Sequence, residues 1–304
     1  MGSGFGDIRF SGAKRAPVLF CLDVTGSMTN PVFVRDGEQK SRMQMANEMI
    51  RHFIKYILSV RKASDAVDVA FVLFTHEVVM ETDFVNIKQI SDQMFRSAKK
   101  TDGCGNWELV PVKVRIQGDT DEITGDVPVF CVSRYDKGTK IDSAVLYSYQ
   151  KILRQKEQYE RTKQQYYAPH FILVTDGDPD DMARNRERDT KETHDKAKNL
   201  VFDHAYTGSD GKNLIVPITV GIFDDKVDRD AEERVSDYGE NFKSGYFRVR
   251  DTSAVSGFKE AGEFLCKTLT KSLSLTVQNM GSRNTQNGDA RAGKGKSVEE
   301  VYGE

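Results

Sequence analysis

The 304-residue sequence is poor in cysteine and has one Trp and no apolar run long enough to cross a bilayer. The four cysteines, Cys21, Cys104, Cys131 and Cys266, are scattered without a CxxC pair, which argues against a disulfide framework and for a reduced compartment. Cys21 lies inside an apolar strand and Cys266 inside a helical pattern, where a thiol behaves as a small hydrophobe. That leaves Cys104 and Cys131 as the one pair placed to bridge. Excess charge of either sign is also missing. The formal net charge is -2, so no strong field steers the chain to nucleic acid or an anionic membrane. The N-terminus has no basic start followed by an apolar core, so no signal peptide is expected and the cytoplasm is the expected location. No GxxxxGK[ST] pattern is present, and no Ser-His-Asp set is evident from spacing.

What is present is an alternation of buried strands and amphipathic helices from Pro17 to Leu275. "PVLFCLDV", "VDVAFVLFT", "HFILVT" and "NLIVPITVGIF" are near-continuous apolar runs, the signature of strands covered on both faces. "HEVVMETDF" is placed to return as an antiparallel edge strand, and "GYFRVRD" is a last strand. Ala46, Met49, Ile50, Phe53, Ile54, Ile57 and Leu58 recur at helical spacing, as do Val145, Leu146, Tyr149, Ile152 and Leu153. "NIKQISDQMFRSAKK" has the pattern of a short amphipathic helix, and a final helix is expected around Phe258 to Leu269. The pattern predicts a doubly wound α/β sandwich, Rossmann-like and three-layered, with a mostly parallel central sheet and one antiparallel edge strand. Residues 101–135 break the rhythm and predict an inserted β-hairpin. Residues 1–16 form an N-terminal extension, and residues 276–304, rich in Asn, Gly, Ser and charge, predict a disordered tail.

In open α/β sheets, ligands sit beyond the carboxyl ends of the strands. There the sequence places Asp23, Thr25 and Ser27 after the first strand, Asp176 in "VTDG" after the fourth, and Thr139 just before a helix. All are hard oxygen donors, suited to Mg²⁺, Mn²⁺ or Ca²⁺ rather than zinc. Two carboxylates roughly balance a divalent charge, and neutral hydroxyls leave the metal electrophilic. Gly26 is expected to give the Asp23–Ser27 loop backbone freedom.

"DVTGSM", the Thr139 loop and "VTDG" together resemble the metal-ion-dependent adhesion site of von Willebrand factor A domains, whose pattern is Asp-x-Ser-x-Ser, then a Thr, then an Asp. The resemblance covers Pro17 to Leu275 in element order. It implies that Thr25 and Ser27 bind a divalent cation through their hydroxyls and that Thr139 binds directly or through water. Asp23 and Asp176 would hold coordinated waters or bind directly. The open position would take an Asp or Glu of a protein partner. Thr25 departs from the commoner Ser, and Lys137 stands where many members have Gly. "FILVTDGDPDD" and "YFRVRDTSAVSGFKEAGEFLCKTLT" resemble the bacterial cytoplasmic TerY-type members of tellurite-resistance and stress operons. That implies a scaffold beside a kinase, phosphatase or ATPase, without nucleic acid or membrane.

Competing readings exist for several residues. Asp178, Asp180 and Asp181 suit a solvated loop better than a second cation site. His76 and Glu77 suit a surface hairpin turn better than a rim of the site, and Trp107 serves equally as a partner hot spot or as the contact that packs the hairpin. The rival function is a metal-dependent phosphoryl-transfer hydrolase with Asp23 as nucleophile, but that chemistry pairs the Asp with a second acid two positions on, where this chain has Thr25. A third reading is a scaffold with a vestigial metal site.

Overall fold

The computed structural model describes residues 14–33, 39–101, 107–134, 138–177, 189–206, 214–223, 229–239, 246–250, 262–263 and 265–267. Cys104, Lys137, Asp178, Asp180, Asp181 and the tail from Thr276 lie outside the described residues.

In chain order the elements are β1 (Ala16–Asp23), β2 (Pro31–Phe33), β3 (Gln39–Ser41), α1 (Arg42–Ser59), α2 (Arg61–Ala66), β4 (Val67–Phe74), β5 (Val78–Glu81) and β6 (Val85–Asn86). Then follow α3 (Asp92–Arg96), β7 (Lys99–Lys100), β8 (Trp107–Arg115), β9 (Glu122–Phe130), α4 (Ile141–Arg161) and β10 (His170–Thr175). The last are α5 (Lys191–Tyr206), β11 (Val216–Phe223), α6 (Arg229–Ser236) and β12 (Tyr246–Arg250).

The main sheet runs β12-β11-β10-β1-β4-β5-β7, with β6 also on β4. The pairs from β12 to β4 are parallel, and β5, β6 and β7 pair antiparallel at the far edge. β1 and β4 are buried at every position, as their unbroken apolar runs require. Successive side chains of β1 feed opposite faces. Val18, Phe20 and Leu22 meet Met49, Ile50, Phe53 and Ile57 of α1, while Leu19 and Cys21 meet Val145, Tyr149 and Ile152 of α4. The chain leaves β1 through α1 to β4, then crosses back over β1 through α4 to β10. Right-handed crossovers in opposite directions put α1 on one face and α4 on the other. Ala197 and Val201 of α5 and Val235 of α6 join the α4 face. This is the three-layer, doubly wound sandwich expected from the sequence, and its direction reverses between β1 and β10.

The predicted helix over "NIKQISDQMFRSAKK" is broken into separate pieces. Asn86 and Ile87–Gln89 form a strand end and a 3-10 turn, followed by the five-residue α3 and by β7. The Asn86 side chain accepts from Lys88 N–H, and its amide donates to the Ser64 and Val67 carbonyls, so it is spent on holding α2 and β4 rather than continuing a helix.

β8 and β9 form their own two-stranded sheet, in nine-residue antiparallel register from Trp107↔Phe130 to Arg115↔Glu122. Its residues Val112, Val114, Val127 and Phe130 pack into the α1 side of the core. Trp107 stacks on Phe95 at 5.7 Å, with Lys100 Nζ 3.5 Å from its ring centroid. That assigns the single Trp to packing the insertion onto the domain. The insertion is also clipped by a side chain. The buried Asn47 of α1 donates to the Phe130 carbonyl at 2.8 Å and accepts from Phe130 N–H at 2.9 Å, as a neighbouring strand would.

Asn47→Ala removes both partners of a buried backbone pair at once. The expected cost is about 2–4 kcal/mol in urea denaturation; a loss below about 1 kcal/mol would mean the clip is dispensable.

Candidate functional site

The site lies at the carboxyl ends of β1 and β10, beside the reversal of winding, where side chains from several chain segments converge. Asp23, the last residue of β1, is fully buried together with Asp176. Leu22 pairs with Val174 in register, so Asp23 stands beside Thr175. The Thr175 hydroxyl donates to Asp23 Oδ2 at 2.6 Å and in turn accepts from Gly177 N–H at 3.0 Å. Gly177 sits at φ 61, a left-handed conformation that turns the chain back just after Asp176.

On the β1 side, Asp23 Oδ1 accepts from Thr25 N–H at 2.9 Å and from the Thr25 hydroxyl at 2.6 Å. The Thr25 and Ser27 hydroxyls lie 2.9 Å apart. A tight turn after the strand produces this convergence. The strand stops at Asp23, and Gly26–Thr29 form a 3-10 turn closed by Met28 N–H to the Thr25 carbonyl at 3.1 Å. Gly26 does not use left-handed freedom. Among the described residues the glycines with positive φ are Gly118, Gly138 and Gly177.

Thr139 reaches the same end of the sheet. Lys140 N–H donates to the Thr75 carbonyl at 2.9 Å, and Thr75 directly follows β4. Val24 N–H bonds the Phe74 carbonyl at 3.0 Å, and the Val24 carbonyl accepts from Ser133 N–H at 2.8 Å. The Asp23–Ser27 loop is therefore tied to β4 and to the exit of the insertion. His76, expected on a surface turn, is buried, with Nδ1 3.1 Å from the Thr75 hydroxyl.

Sequence reasoning missed Arg42. It is the first residue of α1, behind a capping box formed by Ser41 and Gln44. Its guanidinium NH1 lies 2.8 Å from Asp176 Oδ2, and the side chains are 3% and 0% exposed. A cation in the first turn opposes the helix dipole, and that placement is the signal available in the sequence.

Burial, and then the like charge of Asp176, push the Asp23 carboxyl well above the usual carboxylate range, against the lowering effect of its Thr175 and Thr25 hydrogen bonds. Two buried carboxylates beside one guanidinium leave negative charge that a cation would compensate. Among the described residues no group of three or more His, Cys, Asp or Glu is placed to hold a metal ion. Any cation here therefore depends on hydroxyls as well as carboxylates. Thr25 and Ser27, with Asp23 and Asp176 behind them, fit a hard divalent ion.

A second polar network braces the helix that follows Thr139. Asp142, fully buried in the first turn of α4, accepts from Tyr238 OH at 2.5 Å, from Arg234 Nε at 3.1 Å and from His194 Nδ1 at 3.0 Å. His194 Nε2 lies 3.1 Å from Asp237 Oδ2, and Lys198 Nζ holds Asp237 Oδ1 at 2.7 Å. Asp189 accepts from the Asp142 N–H at 2.7 Å and the Ser143 N–H at 3.1 Å, satisfying the start of α4. The mixed-charge helix α5 thus carries His194 and Lys198 in ion pairs.

No family model matches the chain, and no curated protein matches it in sequence. Among solved structures it is similar to the PilB minor pilin from Streptococcus sanguinis, at 11% identity and TM-score 0.42, over 85% of this chain and 63% of that one. The chain thus spans 63% of the pilin's length. It is also similar to the vWF domain of the type V pili tip protein Mfa5 from Porphyromonas gingivalis, at 12% identity and TM-score 0.43, over 92% of this chain and 99% of that one. At such identities and scores the likenesses say nothing of what this chain binds.

The hydrogen bond to Asp142 raises the His194 pKa above its ordinary 6.5, with burial opposing and Asp237 assisting. A raised folded-state pKa adds stability that is complete below the unfolded value and disappears as pH rises through the folded one. His194→Gln should therefore cost most stability at pH 5–6 (about one unit below the ordinary histidine value). The cost should shrink steadily above neutrality in denaturation curves taken across pH. A cost that does not change with pH would show that folding leaves the His194 pKa unshifted.

Proposed function

We propose that the chain is a metal-dependent protein-interaction module. In this reading Thr25, Ser27 and Thr139 face a divalent cation, Mg²⁺ first, while Asp23 and Asp176 hold its charge and its waters. An Asp or Glu of a protein partner completes the coordination. The observation that supports it best is the burial of Asp23 and Asp176 at the ends of β1 and β10, with the Thr25 hydroxyl on Asp23 and the Ser27 hydroxyl beside that of Thr25.

Each residue has a derivable task. Thr175 orients Asp23 through Oδ2, and Thr25 holds Oδ1, so the carboxylate cannot rotate. The 3-10 turn fixes where Ser27 points. The clip from Lys140 to Thr75 sets the level of the Thr139 loop, and the Asp142 network steadies α4 behind it. A bound cation would supply Lewis acidity toward a carboxylate; neutral hydroxyl donors leave that acidity undiminished.

The same hydrogen bonds weigh against the phosphoryl-transfer alternative. Both oxygens of Asp23 are engaged as hydrogen-bond acceptors, which leaves neither free to attack a phosphorus centre. The finer reading is an adhesion-type metal site in a bacterial cytoplasmic scaffold of TerY type, serving a stress or defence system beside a kinase, phosphatase or ATPase. It rests on the resemblance of "DVTGSM", "VTDG" and the C-terminal segment.

Isothermal titration with Mg²⁺ and Mn²⁺ tests the core of the proposal. The wild type should bind one divalent ion per chain, and Asp23→Ala should lose at least about 1.4 kcal/mol, a tenfold loss of affinity. Equal affinity in the two proteins would remove the site. If the site holds, capture of an acidic partner should vanish when a chelator is added.

A further inference from the structure

The oxygen cluster already has a positive charge of its own. Arg42 and Asp176 are 134 residues apart in sequence and meet through NH1 and Oδ2 at 2.8 Å, both out of water. Arg42 is set rigidly: its N–H donates to the Asn30 carbonyl at 3.1 Å, just past the 3-10 turn that carries Ser27, and the Ser41–Gln44 capping box lies beside it. Asp176 thus stands between two influences. Asp23, a like charge, repels it on one side, and the guanidinium neutralises it on the other. Counting formal charges, Asp23 and Asp176 with Arg42 leave one negative charge where two would balance a divalent ion.

We infer that Arg42 is the site's built-in competitor for divalent cations, holding Asp176 until a metal ion takes its place. The inference rests on the proposed metal site and adds an affinity-setting residue to it. A guanidinium and a divalent ion cannot share one buried carboxylate at close range without strong repulsion, because the low-dielectric surroundings screen it poorly. Binding therefore exchanges one cation for another. The guanidinium must withdraw by turning its side chain, because the Arg42 backbone is fixed to Asn30. Arg42 is a positioning residue whose removal should improve binding, whereas losing a merely structural residue would weaken it.

Mn²⁺ titration of wild type, Arg42→Met, Arg42→Gln and Arg42→Lys decides the matter, with thermal melts in chelator and in excess Mn²⁺ alongside. The neutral variants should bind Mn²⁺ at least about tenfold tighter than wild type. Arg42→Lys, which keeps the charge, should stay within about threefold of wild type. In chelator the neutral variants should melt lower, since two buried carboxylates face each other unneutralised, and Mn²⁺ should raise their melting temperature by more than it raises that of wild type. If one neutral variant does not fold, the other and the lysine variant carry the comparison. Neutral variants that bind no tighter than wild type, while Asp23→Ala still abolishes binding, would overturn this inference and leave the metal site standing. Absence of binding in wild type and neutral variants alike would overturn both.

Discussion

Two carboxylates buried side by side at the ends of neighbouring parallel strands are the constraint around which this molecule is arranged. Asp23 and Asp176 are each fully out of water, and in isolation that placement would be costly. The surrounding structure answers it with Thr175 and Thr25 on Asp23 and Arg42 on Asp176. The position of the pair is a product of topology. The chain winds away from β1 in one direction and returns in the other, which opens a crevice beyond the carboxyl ends of β1 and β10. Hydrophobic burial on both faces then fixes the two strands, and with them the spacing of the two acids.

Much of this was legible in the sequence because strands buried on both faces leave an unmistakable trace. The continuous apolar runs of β1, β4, β10 and β11 locate the parallel sheet, and the helical spacing from Ala46 to Leu58 locates α1. Asp23, Thr25, Ser27 and Asp176 could be gathered from the strand-end rule alone. What periodicity does not encode is pairing across long separations. Arg42 falls outside the apolar stripe of α1, so nothing in a helical pattern links it to an acid beyond β10. The same limit hid the fate of His194. A mixed-charge helix looks solvated until Asp142, Asp237 and Tyr238 are brought to it from α4 and the end of α6.

The local errors have local causes. A helix was expected after Asn86 because Ile87, Ile90, Met94 and Phe95 are spaced for one, and all four are indeed buried. Their burial is achieved by a 3-10 turn and a short helix instead, because the Asn86 side chain is committed to the Ser64 and Val67 carbonyls. In the Asp23–Ser27 loop the left-handed freedom open to Gly26 is not used. The strand ends at Asp23, and a tight turn brings the hydroxyls together without a left-handed glycine.

Helix α1 holds the Asp176 carboxylate through Arg42 and the inserted hairpin through Asn47. The two attachment points are five residues apart on one hydrogen-bonded rod, a rise of about 7.5 Å. One helix therefore sets the hairpin and the buried guanidinium in a common frame, and the place of each relative to the sheet follows from the seating of α1.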